Sequence, residues 1–242
     1  MYIVMERVVI TKSGRRISLA NGNQDYMQDP KSAVDIILWQ INHKKIYDRY
    51  LKDRTDMVIL DIGANIGLTA LAFCDSAKRI VAVEAAPRQI SIFKSLCGNE
   101  KNIELVEAAL SNVNGTVRFY INDNTTNSLF SHDGVTRIGF DVKSYSLEGL
   151  LDEYKLDKVD FCKMDIEGSE MIAVTEESLS AVYDRIDSMF LEVHSTHDDG
   201  DWKKDLVKNL NILRDIAHKV GYKTEEVDWE DANTPTSIYL TK

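Results

Sequence analysis

The sequence predicts an α/β fold: a doubly wound, Rossmann-like sheet with helices on both faces, ending in an antiparallel strand pair. Three observations carry this. Short apolar runs with an acid at or near their ends, MVILD at 57–61, RIVAVEA at 79–85 and VDFCKMD at 159–165, read as buried strands. Strands covered on both faces are close to continuously hydrophobic. Helical stretches alternate with the first of these runs, an order that implies parallel pairing. Two late runs, YKTEEVDW at 222–229 and TSIYLTK at 236–242, are separated by Asn233 and Pro235 and supply the terminal pair.

The 242 residues suffice for one full core, and no stretch rich in Gly, Pro or Ser divides them. Residues 3–10 and 16–19 alternate as two short strands around a turn at 12–14. Asp29-Pro30 opens a helix with proline in its first turn. Val34, Ile37, Leu38 and Ile41 form one apolar stripe on that helix. Residues 1–52 are thus expected to be an N-terminal extension, and 53–242 the main domain. In the main domain, strand 57–61 leads through a glycine-containing bend into a helix at 68–74. The strand ending at Glu84 leads to a helix opened by Pro87 and closed at Gly98, and IELVEAAL at 103–110 reads as a third strand. Right-handed crossovers then fix the handedness.

Residues 115–145 interrupt this alternation. Runs at 115–121 and 138–142 read as strands with no helix between them, around the polar stretch NDNTTNSLFSHDG. A short helix is expected at 147–154, a fourth strand ending at Asp165 and a fifth, SMFLEVH, ending at His194. A long amphipathic helix at 202–220 is closed by Gly221.

Composition bounds the partners. The formal net charge of -10 repels phosphate backbones and anionic lipid, so neither nucleic acid nor a membrane is expected as a partner. No apolar run approaches the roughly 20 residues that span a bilayer. The N-terminus lacks the pattern of a signal peptide. Cys74, Cys97 and Cys162 are odd in number and have no CxxC spacing, which points to reduced thiols and a cytoplasmic location. Oligomeric state is not legible.

The strongest local signal is ILDIGANIG at 59–67. Its strand ends at Asp61, and Gly63 and Gly67 bracket a tight turn into a helix. Glycine would allow a ligand close to the backbone, and a helix N-terminus offers N–H groups to an anion. Glu84 follows Asp61 at the spacing from which a carboxylate accepts hydrogen bonds from ribose hydroxyls. Glu84 alone does not separate a dinucleotide from another adenosine ligand. The bend does: it lacks the third glycine of GxGxxG, and Asp61 suits an ammonium better than a phosphate.

ILDIGANIG, VEAAP, EAALSNVNG, KMDIEGSE and FLEVH occur in this order over 57–194. Together they resemble the FkbM-type methyltransferases, a branch of the class I S-adenosylmethionine-dependent superfamily. That superfamily's sheet also ends in an antiparallel pair. The resemblance implies S-adenosylmethionine as cofactor and transfer of its methyl group to an oxygen, commonly on a sugar, glycan or secondary metabolite. It implies that Asp61, Gly63, Ala64, Asn65, Gly67, Glu84 and Ala85 line the cofactor. Ala108 and Ala109 would border the adenine, and Asp165 would lie near the methionine end. The family's usual Glu-Pro after the second strand is here Glu84-Ala85-Ala86-Pro87.

Displacement at a sulfonium needs alignment of the acceptor and removal of its proton. Lys163, Asp165 and Glu167 crowd the end of the fourth strand and are the catalytic candidates there, with Lys163 and Asp165 on one face. For Lys163 and Glu170 an ion pair or helix cap is an equal reading. His194 is the candidate general base, because its ordinary pKa lies near neutrality. A divalent metal held by Asp165, Glu192 and His194 is an alternative, though no metal is expected. Asn127 and Ser128 could close over the cofactor. Two other functions stand beside the methyltransferase: an NAD-dependent oxidoreductase on a similar sheet, and a non-catalytic binding module.

Overall fold

A computed structural model of the chain describes residues 7–11, 13–19, 34–51, 53–121, 128–129, 138–196, 201–227 and 236–242. The expectations for 3–6, Lys12, Asp29-Pro30, Asn127, Asn233 and Pro235 lie outside these residues.

The chain opens with the antiparallel strands β1 (Val8–Ile10) and β2 (Arg16–Ser18). Helix α1 (Val34–Trp39) continues as a π-helical turn over Gln40–Lys44, and α2 (Asp48–Leu51) follows. The stripe anticipated on α1 buries Val34 and Leu38. The main alternation is β3 (Met57–Ile62), α3 (Leu68–Phe73), β4 (Ala77–Glu84), α4 (Pro87–Cys97) and β5 (Ile103–Glu107). A second sheet holds β6 (Ala109–Leu110), β7 (Gly115–Ile121) and β8 (Ile138–Tyr145). Helix α5 (Leu147–Glu153) leads to β9 (Phe161–Met164). Helices α6 (Glu170–Ala173) and α7 (Glu176–Val182) make the crossover to β10 (Ser188–Glu192). Helix α8 (Trp202–Val220), β11 (Lys223–Val227) and β12 (Ser237–Thr241) complete the chain.

The large sheet runs β11-β12-β10-β9-β3-β4-β5. β12 is antiparallel to both β10 and β11, while the pairs from β10 to β5 are parallel. This is the doubly wound sheet with an antiparallel end that the sequence predicts. Gly221 closes α8 at φ 110°, its N–H donating to the carbonyls of Ala217 and His218.

One strand differs. The run 103–110 is not a single strand: β5 stops at Glu107, and β6 pairs parallel to β8 in the smaller sheet. β5 is the edge of the large sheet, so its continuation has no further partner there. At Ala108 the N–H turns to the carbonyl of Glu84. Buried Ser111 and Ser144 then join the departing chain to β8, Oγ to Oγ at 2.6 Å. The resulting three-stranded β6-β8-β7 sheet is the insertion read at 115–145, reaching back to Ala109.

Alternation divides the core into two faces. Ile59, Phe161 and Phe190 pack on one face, and Leu60, Cys162 and Leu191 on the other. The first face is covered by the N-terminal segment. Tyr47 meets Phe73 and Phe190 edge-on, and Tyr50 stacks on Phe161 at 4.7 Å between ring centroids. Asp61, Lys163 and Glu192 continue the parity of that face at the carboxyl ends of the three central strands.

Candidate active site

The chain winds outward in opposite directions from β3 and β9, so a crevice opens beyond their carboxyl ends. In open α/β sheets this is where ligands bind. The bend after β3 forms one wall. The N–H groups of Gly63 and Ala64 both donate to the carbonyl of Val83, and that of Gly67 donates to Ala64. Asn65 sits at φ 51°, in the left-handed region that asparagine tolerates, and its N–H donates to Glu84 Oε2 at 2.8 Å. The N–H groups of Gly63, Ala64, Asn65 and Gly67 are therefore held by protein acceptors.

Packing adds a second reason for the glycines. Gly63 and Gly67 have φ of 75° and 90°, which L side chains rarely adopt. A Cβ at Gly63 would overlap the Asp165 carbonyl. One at Gly67 would overlap Cys97 Sγ and press on the Phe93 ring. Protein packing against the bend is by itself enough to demand glycine at both positions.

Glu84 anchors the opposite wall. Its Oε1 accepts from the N–H groups of Ala85 and Ala86 at 2.9 and 2.8 Å, and Oε2 from Asn65. Burial pushes its pKa up, against these three donors. The cleft beside it has a cavity volume of about 60 Å³ and opens to solvent. Gly63, Asn65, Glu84, Ala85, Ala108, Ala109, Asp165 and Glu167 line it, all of them candidates from sequence. So do Val83, Leu110 and Ser169, which lie within the quoted motifs but are not singled out by them, and Gln89, Phe119 and Leu129, which lie outside them. Leu129 reaches the cleft because its N–H donates to Ser169 Oγ at 3.1 Å, and Ser128 pairs with Tyr120. Ala64 and Lys163 line an adjoining cavity with Gln40 and Tyr47, and the two cavities share Gly63, Asn65 and Asp165.

Asp61 and Gly67, expected to line the cofactor, are placed differently. Gly67 packs on α4. Asp61 is fully buried, and neither of its oxygens has a hydrogen-bond partner among the described residues. Its compensating charge is Lys163 Nζ, 3.7 Å away. Burial pushes the Asp61 pKa up and this ammonium pulls it down. Lys163 is only 4% exposed, against 28% for Asp165. Lys163 lines only the adjoining cavity and not the cleft beside Glu84.

Beyond β9 and β10 the acids gather round His194. Its Nε2 lies 3.7 Å from Asp165 Oδ1 and 3.6 Å from Glu167 Oε2. Its Nδ1 lies 3.2 Å from Glu170 Oε1, which also accepts from the Ile166 N–H at 2.8 Å. Burial lowers the His194 pKa, but Glu167, Glu170 and Asp165 together hold it well above 6.5. The facing carboxylates thus favour the charged ring over the neutral one, relative to an ordinary histidine. Burial lifts Glu167 to about 7, against His194. Burial and then the Asp165 charge lift Glu192 to about 8. Among the described residues, Asp165, Glu170 and His194 each bring one possible ligand atom within 4.8 Å of the others. Glu170 thus takes the place that the sequence reading gave Glu192 in a metal set. The only sequence signal for Glu170 is its position in KMDIEGSE.

A sheet of this order, with a glycine bend after β3 and a buried acid ending β4, is the arrangement expected of a class I methyltransferase. The comparisons narrow it further. The Methyltransferase FkbM domain matches residues 61–224, and the chain belongs to that family. S-adenosylmethionine is the cofactor that this membership brings. No curated protein matches the chain. Solved structures similar to it include precorrin-6y C5,15-methyltransferase from Geobacter metallireducens, at 16% identity and TM-score 0.48, covering 81% of this chain and 84% of that one. Aeropyrum pernix fibrillarin, solved with natively bound S-adenosylmethionine, is similar at 13% identity and TM-score 0.46, over 100% of this chain and 84% of that one. Among the described residues no helix is long and apolar enough to cross a membrane.

Proposed function

We propose that this methyltransferase moves the methyl group of S-adenosylmethionine to a hydroxyl oxygen of a sugar, glycan or secondary metabolite. The observation that carries this reading is the Glu170–His194 pair beside Asp165 and Glu167, two acids that line the cleft. A hydroxyl is a very weak acid, so its methylation needs a positioned base. His194 with Nδ1 donating to Glu170 leaves Nε2 for the acceptor's proton, and a raised pKa makes it a stronger base than ordinary histidine.

The residues present fit the cofactor. The apolar end of the cleft, with Ala108, Ala109 and Phe119, suits an adenine. Glu84 Oε2 carries one N–H bond and keeps acceptor capacity for ribose hydroxyls. Asp165 and Glu167 give the other end the negative charge that favours a sulfonium. When bound, the cofactor supplies an activated methyl group for displacement. Asp165 and Glu167 hold the methyl-bearing end, Lys163 acts only from beneath them, and His194 accepts the proton at Nε2.

The acidic balance of the chain supports a small-molecule or glycan acceptor over nucleic acid or a membrane. Three buried, unbridged thiols support a reducing, cytoplasmic compartment. The domain division at 52/53 and the His194 role belong to the same reading. A mass-spectrometric screen of glycans and hydroxylated metabolites, incubated with protein and S-adenosylmethionine, tests it. An added methyl group on oxygen is expected; transfer only to nitrogen, carbon or RNA overturns it.

A further inference from the structure

We propose that Lys163 is a positioning residue that ties the floor of the crevice together, holding the bend and Asp165 in place for cofactor binding. The inference rests on the reading that S-adenosylmethionine occupies the cleft between Glu84 and Asp165.

Lys163 lies directly opposite Asp61 in the parallel register of β9 and β3. These are the two strands between which the sheet reverses its winding, so the pair forms the base of the ligand crevice. Its ammonium makes three interactions. It donates to the Gly63 carbonyl at 2.9 Å, lies 3.2 Å from Asp165 Oδ2 and 3.7 Å from Asp61 Oδ1. The first acts on the backbone of the bend. The second acts on the acid that lines both cavities. The third neutralises a carboxylate with no other partner among the described residues. An ammonium is compact and carries three donors, so it can serve three acceptors from one buried point.

Two features separate this from a merely structural ion pair. A pair that only neutralised Asp61 would not need the Gly63 carbonyl or Asp165. And the Gly63 carbonyl belongs to the Gly63–Ala64 peptide of the bend, whose N–H donates to the Val83 carbonyl. With the ammonium removed, that carbonyl loses its donor, and Asp165 loses the charge that holds its carboxylate over the crevice.

The test compares wild type, Lys163→Met and the double variant Asp61→Asn/Lys163→Met, by calorimetric titration with S-adenosylmethionine and by thermal melting. Lys163→Met should weaken cofactor affinity at least about tenfold. The double variant should recover melting temperature, because no buried charge is left unpaired, yet stay equally weak in affinity. Wild-type affinity in Lys163→Met, or in the double variant should the single one fail to fold, overturns the proposal. A crystal structure of the wild-type complex decides without any variant. The ammonium must remain on the Gly63 carbonyl, and finding it on the ligand's carboxylate overturns the positioning role. Wild-type protein that binds no S-adenosylmethionine would refute the cofactor reading itself, a different result from either.

Discussion

His194 Nδ1 lies 3.2 Å from Oε1 of Glu170, a carboxylate whose side chain is 1% exposed. The pair joins the end of β10 to the first turn of α6, and it fixes which ring nitrogen faces the cleft. Glu170 is itself held by the Ile166 N–H, so the imidazole is oriented through two successive hydrogen bonds.

Turnover should therefore rise with pH through the raised pKa of His194. The neutral ring is the base, and the facing carboxylates of Asp165, Glu167 and Glu170 favour the cation, against buried Lys163. Activity is absent below that pKa and gained above it. Glu170→Gln removes one of these charges and should move the alkaline rise toward 6.5, while His194→Ala should keep cofactor affinity and lose turnover. The same shift stabilises the fold below about 6.5, and that stability is lost as pH rises through the raised value. A kcat/KM profile of wild type and Glu170→Gln checks the order of the two midpoints; coincident midpoints contradict it.

Asp61→Ala leaves Lys163 buried without its nearest compensating strand partner. Breaking a buried pair from one side costs about 3–5 kcal/mol. For a domain of this size that lowers the melting temperature by roughly 6 °C or more. Cofactor affinity should fall with it, through the floor of the crevice and not through a lost ligand contact. Calorimetry and thermal melting on one preparation would show both changes; an unchanged melting temperature with lost affinity would instead place Asp61 in contact with ligand.

Gly63→Ala should be more harmful than Gly67→Ala. Both positions have positive φ, but the clash at Gly63 is with the backbone carbonyl of Asp165. At Gly67 it is with the side chains of Cys97 and Phe93, which can shift. A Gly67→Ala protein that still folds beside an insoluble or unfolded Gly63→Ala protein is the expected outcome, read by circular dichroism.

The central strands, the bend and the acids at their ends were legible because burial on both faces writes itself as continuous apolar runs. Alternation also placed Lys163 and Asp165 together correctly. What it could not give was depth: two residues apart on one face, one is nearly sealed and the other lines the cleft. The departure of β6 at Ala108 was hidden because EAAL continues the strand pattern across a change of sheet. Glu170 read as a possible cap because its partner, His194, is 24 residues away and meets it only through the packing of α6 against β10. The bend glycines are legible as a motif, but their packing against Asp165 and Phe93 is not, because those partners are distant in sequence.

Calorimetric titration of the wild-type protein and of Glu84→Ala with S-adenosylmethionine tests the central claim most directly. Saturable binding by wild type, weakened at least about tenfold when Glu84 is removed, is the predicted result. A wild-type protein that gives no heat with S-adenosylmethionine but saturates with NADH would contradict the account.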